Sequence, residues 1–221
     1  MAAMADHATA TRNRPGRDFI ARHGETVFNA TRRLQGEQLH TPLTRAGFAQ
    51  ADAMGTRLRA LLGPRPALTL WSSPTGRALQ TLAVIAEHLE LDWHAAQVDA
   101  RLVEIGMGSW GGRSYDAVIA EAGSVIDPEV RSLRPAPDGE TYPEIAARVT
   151  SWLDATDADP GDRLVIMHGV SSRVLRGVMT GLAPATTLGA PVAPGLPQGS
   201  IVRIARGVEH VIHRGDGGGH A

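Results

Sequence analysis

Lysine and cysteine are both missing from this 221-residue sequence. All 22 Lys-plus-Arg positions are therefore arginines, which excludes Schiff-base chemistry and the lysine of a P-loop. A phosphate or carboxylate bound here must meet guanidinium forks, backbone N–H groups or neutral donors. Without cysteine there are no disulfides, no thiolate nucleophile and no thiolate metal ligands. Aromatic residues make up only 4% of the chain against 43% hydrophobic residues overall. The core must then rest on Leu, Val, Ile and Ala, and disorder throughout is excluded. Net charge is small too, at −1, so no global field favours nucleic acid or an anionic membrane. No apolar run approaches the roughly 18 residues a membrane helix needs, and the first residues lack the apolar centre of a secretory signal. The last two absences give the expectation of a cytoplasmic protein, with a short transit peptide as the alternative. Its expected organisation is a flexible leader over 1–17, a single folded domain over 18–214 and a Gly-rich flexible tail over 215–221.

What is present alternates strand with helix. Phe19-Ile20-Ala21 is a short apolar run halted by Gly24, a buried strand entering a loop. Residues 43–62 have helical spacing, with Thr44 as N-cap and Gly63-Pro64 as the stop. Residues 68–71 form a second strand, and Ser72-Ser73-Pro74 opens a helix that runs to Leu89. A weaker stretch follows, with a short strand after Trp93, a Gly-rich turn over 106–112 and a helix over 114–121. Another amphipathic helix spans 139–155. Residues 163–167 read as the strongest strand, an apolar run suited to a sheet covered on both faces, with Ser171 capping the next helix. A Pro- and Gly-rich loop over 183–199 precedes a closing hairpin around Gly207. The alternation predicts an α/β fold, a three-layer α/β/α sandwich with a mainly parallel central sheet. Sites in such sheets form at the carboxyl ends of strands, where His23 and His168 both fall.

The residues around these histidines suit phosphate chemistry. Hydrolysis of a phosphate monoester requires neutralisation of a dianion, an in-line nucleophile and a proton for the leaving oxygen. Neutral imidazole can attack phosphorus, because the phosphoramidate it forms is labile enough to hydrolyse. Arg22 adjoins His23 as an anion clamp, and Arg77 lies early in its helix, near the positive end of the dipole. His168 and the helix behind it add donors. Glu104, in a turn before the Gly-rich loop, is the candidate proton donor, with Glu140 and Glu144 as nearby competitors. Arg32 and Arg33 form a loop pair that a second substrate anion could meet, and Arg173 reads as a structural ion-pair partner. Trp71 and Trp152 belong to core or interface, while Trp110 is a candidate for the cleft wall. A serine hydrolase on Ser171 or Ser172 fails for want of a Gly-x-Ser-x-Gly elbow.

Taken in order, Arg22-His23-Gly24-Glu25-Thr26 with Asn29, Leu34-Gln35-Gly36, Pro42-Leu43-Thr44, Ser72-Ser73-Pro74 with Arg77 and Thr81, Leu102-Val103-Glu104-Ile105 with Gly108 and Trp110-Gly111, and His168-Gly169 resemble the histidine phosphatase superfamily, in its phosphoglycerate-mutase-like branch. The resemblance covers residues 19–204. It implies His23 as phosphate-accepting nucleophile, Glu104 as general acid and then base, and Arg22, Arg77 and His168 as the phosphate pocket. Asn29, Gln35, Gly36 and Gly169 would assist in substrate binding, with no metal and no cofactor. The substrate class so implied is a small phosphomonoester, and a homodimer is compatible with it. Two departures stand out. Pro197-Gln198-Gly199-Ser200 replaces the Pro-Asn common before the closing strand, and the segment between Glu104 and His168 is shorter than the mutases carry. The second favours a phosphatase, with a mutase or a non-catalytic phospho-ligand-binding protein as alternatives. Residues 105–138 are the expected cap over the substrate.

Overall fold

A computed structural model describes residues 14–218 of the chain. In chain order the elements are β1 (Asp18–Arg22), α1 (Val27–Ala30), α2 (Arg45–Leu62), β2 (Leu68–Ser72), α3 (Gly76–Leu89), β3 (Gln97–Val98), α4 (Tyr115–Ala122), β4 (Ile126–Asp127), β5 (Ser132–Leu133), α5 (Tyr142–Thr156), β6 (Asp162–Met167), α6 (Gly169–Met179), β7 (Ile201–Ala205) and β8 (Val208–His213). Six strands form the central sheet in the order β3-β2-β6-β1-β7-β8. The first four run parallel; β7 and β8 are antiparallel additions at one side. The β7–β8 turn uses Arg206 and Gly207 at φ 51° and 73°, the two left-handed positions that a tight hairpin demands.

Alternation along the central strands sorts their side chains between two cores. Ile20, Val165, Met167 and Val202 join α5, α6 and segment 105–136 on one face, around Tyr142, Trp152 and Val174. Phe19, Ala21, Leu164 and Ile166 pack on the other against α2 and α3, around Met54, Leu58, Leu82 and Ile85. Every residue of β1 is buried, as a strand covered on both faces requires. The architecture is thus the α/β/α sandwich expected. Trp110 lies in the first core and not in the cleft.

Several boundaries differ from the sequence reading. Arg14 and Arg17, assigned to a flexible leader, are tied down: Arg14 reaches Asp18 and the carbonyls of Asp159 and Gly161, and Arg17 pairs with Asp162. The tail is likewise anchored at its start, with the Gly215 N–H on Ser200 Oγ and Gln50 on Asp216. The remaining leader and tail residues, 1–13 and 219–221, lie outside the described residues. Pro74 precedes its helix, whose N-cap is Thr75. Helix α5 begins at Tyr142 because Gly139 and Glu140 turn back onto Ala136 and Gly106, leaving Thr141 and Glu144 to form the capping box. Ser171 caps nothing: His168 occupies the N-cap of α6.

Two glycines seat α2 on the loop after β1. A Cβ on Gly24 would lie 2.2 Å from the Gly47 carbonyl oxygen, and one on Gly47 would lie 2.0 Å from that of Glu25. Both obstacles are backbone, so neither can yield by a rotamer change. Gly47→Ala should cost about 1–3 kcal/mol, read as a lower urea midpoint; an unchanged midpoint would contradict this contact.

Candidate active site

The pairing of β1 with β6 sets Arg22 opposite Met167, so the residues that follow, His23 and His168, leave adjacent strand ends together. Their rings stand edge to face with centroids 5.2 Å apart. His23 Nδ1 lies 2.7 Å from the Gly24 carbonyl oxygen. A carbonyl only accepts, so Nδ1 carries the proton and Nε2 keeps its lone pair. Burial pushes His23 well below the usual imidazole range, helped by the charges of Arg77 and Arg22. Its ring is neutral at pH 7.

Arg77 is fully buried, and burial lowers its pKa to about 10, still cationic at neutral pH. Its Nε donates to His168 Nδ1, one terminal nitrogen to the Gln38 carbonyl and Thr41 Oγ1, and the other to the Gly36 carbonyl. Four of its five N–H groups are thereby held and one is left. Arg22, also buried, donates to the Leu196 carbonyl, while its Nε meets no acceptor among the described residues. No carboxylate forms a salt bridge with either arginine among the described residues. With Nδ1 accepting from Arg77, His168 directs Nε2–H to Ser73 Oγ at 2.8 Å. Burial and the Arg77 charge keep this imidazole neutral as well.

Glu104 reaches the same cleft from the opposite side. Its two carboxylate oxygens accept the N–H groups of Val170 and Ser171 in the first turn of α6, and one also accepts its neighbour Ile105 N–H. A remote side chain thus caps the helix that His168 leaves uncapped. The competitors are engaged elsewhere: Glu140 holds Arg148 and the Gly106 N–H, and Glu144 serves the α5 cap. Asn29 and Gln35 both turn their side-chain oxygens to Thr26, and their NH2 groups meet no acceptor among the described residues. Arg22, His23, Asn29, Gln35, Gly36 and Glu104 line one small pocket, completed by Arg33, Ile105, Tyr115 and Leu133. Gly169 is the first residue of α6; it, His168 and the fully buried Arg77 are not among the residues that line this pocket. Sequence reasoning missed Tyr115, whose only local signal is its place just after the helix N-cap Ser114. It also missed the carbonyl acceptors, which no side-chain motif can show. Arg173 makes no ion pair among the described residues; it clamps the carbonyls of Val130, Arg131 and Ala193.

The constellation defines a class: an enzyme with a neutral histidine beside two buried cations. The chain belongs to the histidine phosphatase superfamily, branch 1, whose family model matches residues 19–212. It is 32% identical over 169 residues to the probable phosphoglycerate mutase GpmB of Yersinia pestis, covering 74% of each chain. Among solved structures it is similar to a mycobacterial glucosyl-3-phosphoglycerate phosphatase complexed with VO3, with 25% identity, a TM-score of 0.62 and 92% and 100% of the two chains covered. A putative α-ribazole-5′-P phosphatase of Escherichia coli shares the fold at 22% identity and TM-score 0.69, over 91% of this chain and 97% of that one.

Two buried neutral histidines also predict an acid-limb signature. Their folded pKa values lie below the unfolded value of about 6.5, so between the two values the unfolded chain holds more protons. Stability is therefore full above about pH 6.5 and falls as pH drops below it. Each such histidine contributes a slope of about 1.4 kcal/mol per pH unit. Urea titrations between pH 6 and 5 should show His23→Gln losing that much of the wild-type slope; an identical slope would mean that His23 titrates normally.

Proposed function

We propose that this enzyme is a phosphomonoesterase that works through a phosphohistidine on His23, with a small phosphorylated metabolite as substrate and the cytoplasm as its location. One observation carries the reading: a neutral imidazole with its Nδ1 proton committed to Gly24 and its Nε2 lone pair left over, set beside two buried guanidiniums without ion-pair partners among the described residues. In the first step Nε2 attacks phosphorus, the P–O bond to the alcohol breaks, and Glu104 gives its proton to the departing oxygen. In the second, water attacks phosphorus while Glu104 takes a proton from it. The P–N bond returns its electron pair to Nε2, and inorganic phosphate leaves. Arg22 Nε and the remaining N–H of Arg77 supply charge to the non-bridging oxygens, where a low-dielectric site makes them most effective. Asn29, Gln35 and the backbone at Gly36, all on the pocket wall, complete the phosphate contacts, and His168 holds the Arg77 fork in place. These groups neutralise the dianion by themselves, so neither metal nor cofactor enters the scheme.

The relatives named phosphoglycerate mutases favour a second reading, in which the phosphoenzyme returns its phosphoryl group to a product hydroxyl instead of to water. Supplying 3-phosphoglycerate and measuring free phosphate against isomer formation separates the two; isomer without phosphate release would establish the mutase. For the shared nucleophile, His23→Ala should lower kcat/KM on 4-nitrophenyl phosphate by more than about 10³-fold. Activity retained by that variant would sink the assignment.

A further inference from the structure

Beyond the phosphate site the cleft widens into a cavity of 320 Å³. The two share Asn29, Arg33 and Tyr115 in their walls, so the spaces adjoin. Its chemistry differs from that of the inner pocket. Tyr115, Ile119 and Ile126 give it an apolar side, and Arg32 and Arg33 supply guanidinium planes. Ile119 is 42% exposed although it faces a cavity, an arrangement that loses apolar burial unless a ligand covers it. Arg32 adopts φ 51°, a left-handed backbone that an arginine takes only when its surroundings hold it there. Its one ion pair among the described residues, with Asp116 at 3.4 Å, joins side chains that are mostly exposed. Such a pair contributes little and leaves the guanidinium able to stack on a ring.

We propose that this cavity is the leaving-alcohol subsite, and that it selects phosphomonoesters whose alcohol carries an apolar ring, packed on Ile119 and Ile126 and reached by the arginine planes. Tyr115 stands at the neck between the two spaces. Its hydroxyl is pushed up to about 12 by burial, so it stays protonated and can bond the bridging end of the alcohol. The inference rests on the phosphomonoesterase reading and names its substrate class.

The test compares two esters of primary alcohols with similar intrinsic reactivity, 2-phenylethyl phosphate and 2-hydroxyethyl phosphate, so that leaving-group chemistry does not decide the result. The wild-type enzyme should favour the phenylethyl ester at least about 10-fold in kcat/KM, in keeping with the discrimination an apolar pocket supplies. Ile119→Asn and Ile126→Asn should each reduce that ratio to less than about 3-fold by raising KM for the phenylethyl ester. Val208→Thr, at a more exposed apolar site on β8 outside the cavity, should leave the ratio intact. Equal turnover of both esters by the wild type, or an unchanged ratio in both isoleucine variants, would overturn the subsite. Failure to hydrolyse either ester would overturn the phosphatase reading and this inference with it.

Discussion

Two guanidinium groups are buried at the carboxyl end of the sheet without ion-pair partners among the described residues, and most other features of the site follow from that constraint. A buried cation must be satisfied by dipoles, and here the dipoles are carbonyls of Gly36, Gln38 and Leu196 with the Thr41 hydroxyl. Those acceptors come from the loops after α1 and before β7, so holding the arginines also draws these loops together. The same positive field, added to burial, keeps both imidazoles neutral. An arriving dianion gains the charge interaction that the protein itself leaves unmade. Preorganised donors of this kind need no reorganisation when the reaction begins.

Position within the fold explains how few local decisions assemble the rest. Parallel pairing of β1 with β6 brings the two histidines side by side, and the turn at Gly24, held on Thr81 Oγ1, aims the first of them. Glu104 is carried on a loop, yet its carboxylate is fixed by helix α6, the element that follows His168. Glu104 and His168 are thus both referenced to one helix, α6. Arg148, bonded to the carbonyls of Arg101 and Glu104 and paired with Glu140, braces the chain on either side of Glu104.

The sandwich and its mainly parallel sheet were legible because strands 18–22 and 162–167 carry the apolar runs Phe19-Ile20-Ala21 and Leu164-Val165-Ile166-Met167 and alternate with amphipathic helices. The candidate residues were legible as types: His23 and His168 end strands, Arg77 opens a helix, and Glu104 stands before glycines. Orientation was not. That Arg77 spends four donors on protein acceptors, or that His168 faces Ser73 and Arg77, depends on contacts across 36 to 95 residues of chain, which no local pattern encodes. Ser171 was misread as a cap because Ser, Thr and Asn caps dominate by frequency, whereas α6 is capped by a carboxylate 66 residues away. The leader boundary failed for a similar reason: Arg14 has an ordinary neighbourhood in sequence, but its partners Asp159 and Gly161 lie far along the chain. The cavity beside Tyr115 was equally invisible, since its walls come from four separate stretches of chain.

The central claim is that His23 Nε2 receives the phosphoryl group. Single-turnover reaction with a ³²P-labelled phosphomonoester, quenched in alkali and followed by peptide mapping, tests it most directly, with Glu104→Gln used to slow breakdown of the phosphoenzyme. The account predicts acid-labile, alkali-stable label confined to the peptide bearing His23, attached at Nε2. Label on any other residue, or turnover with none bound to protein, would contradict it.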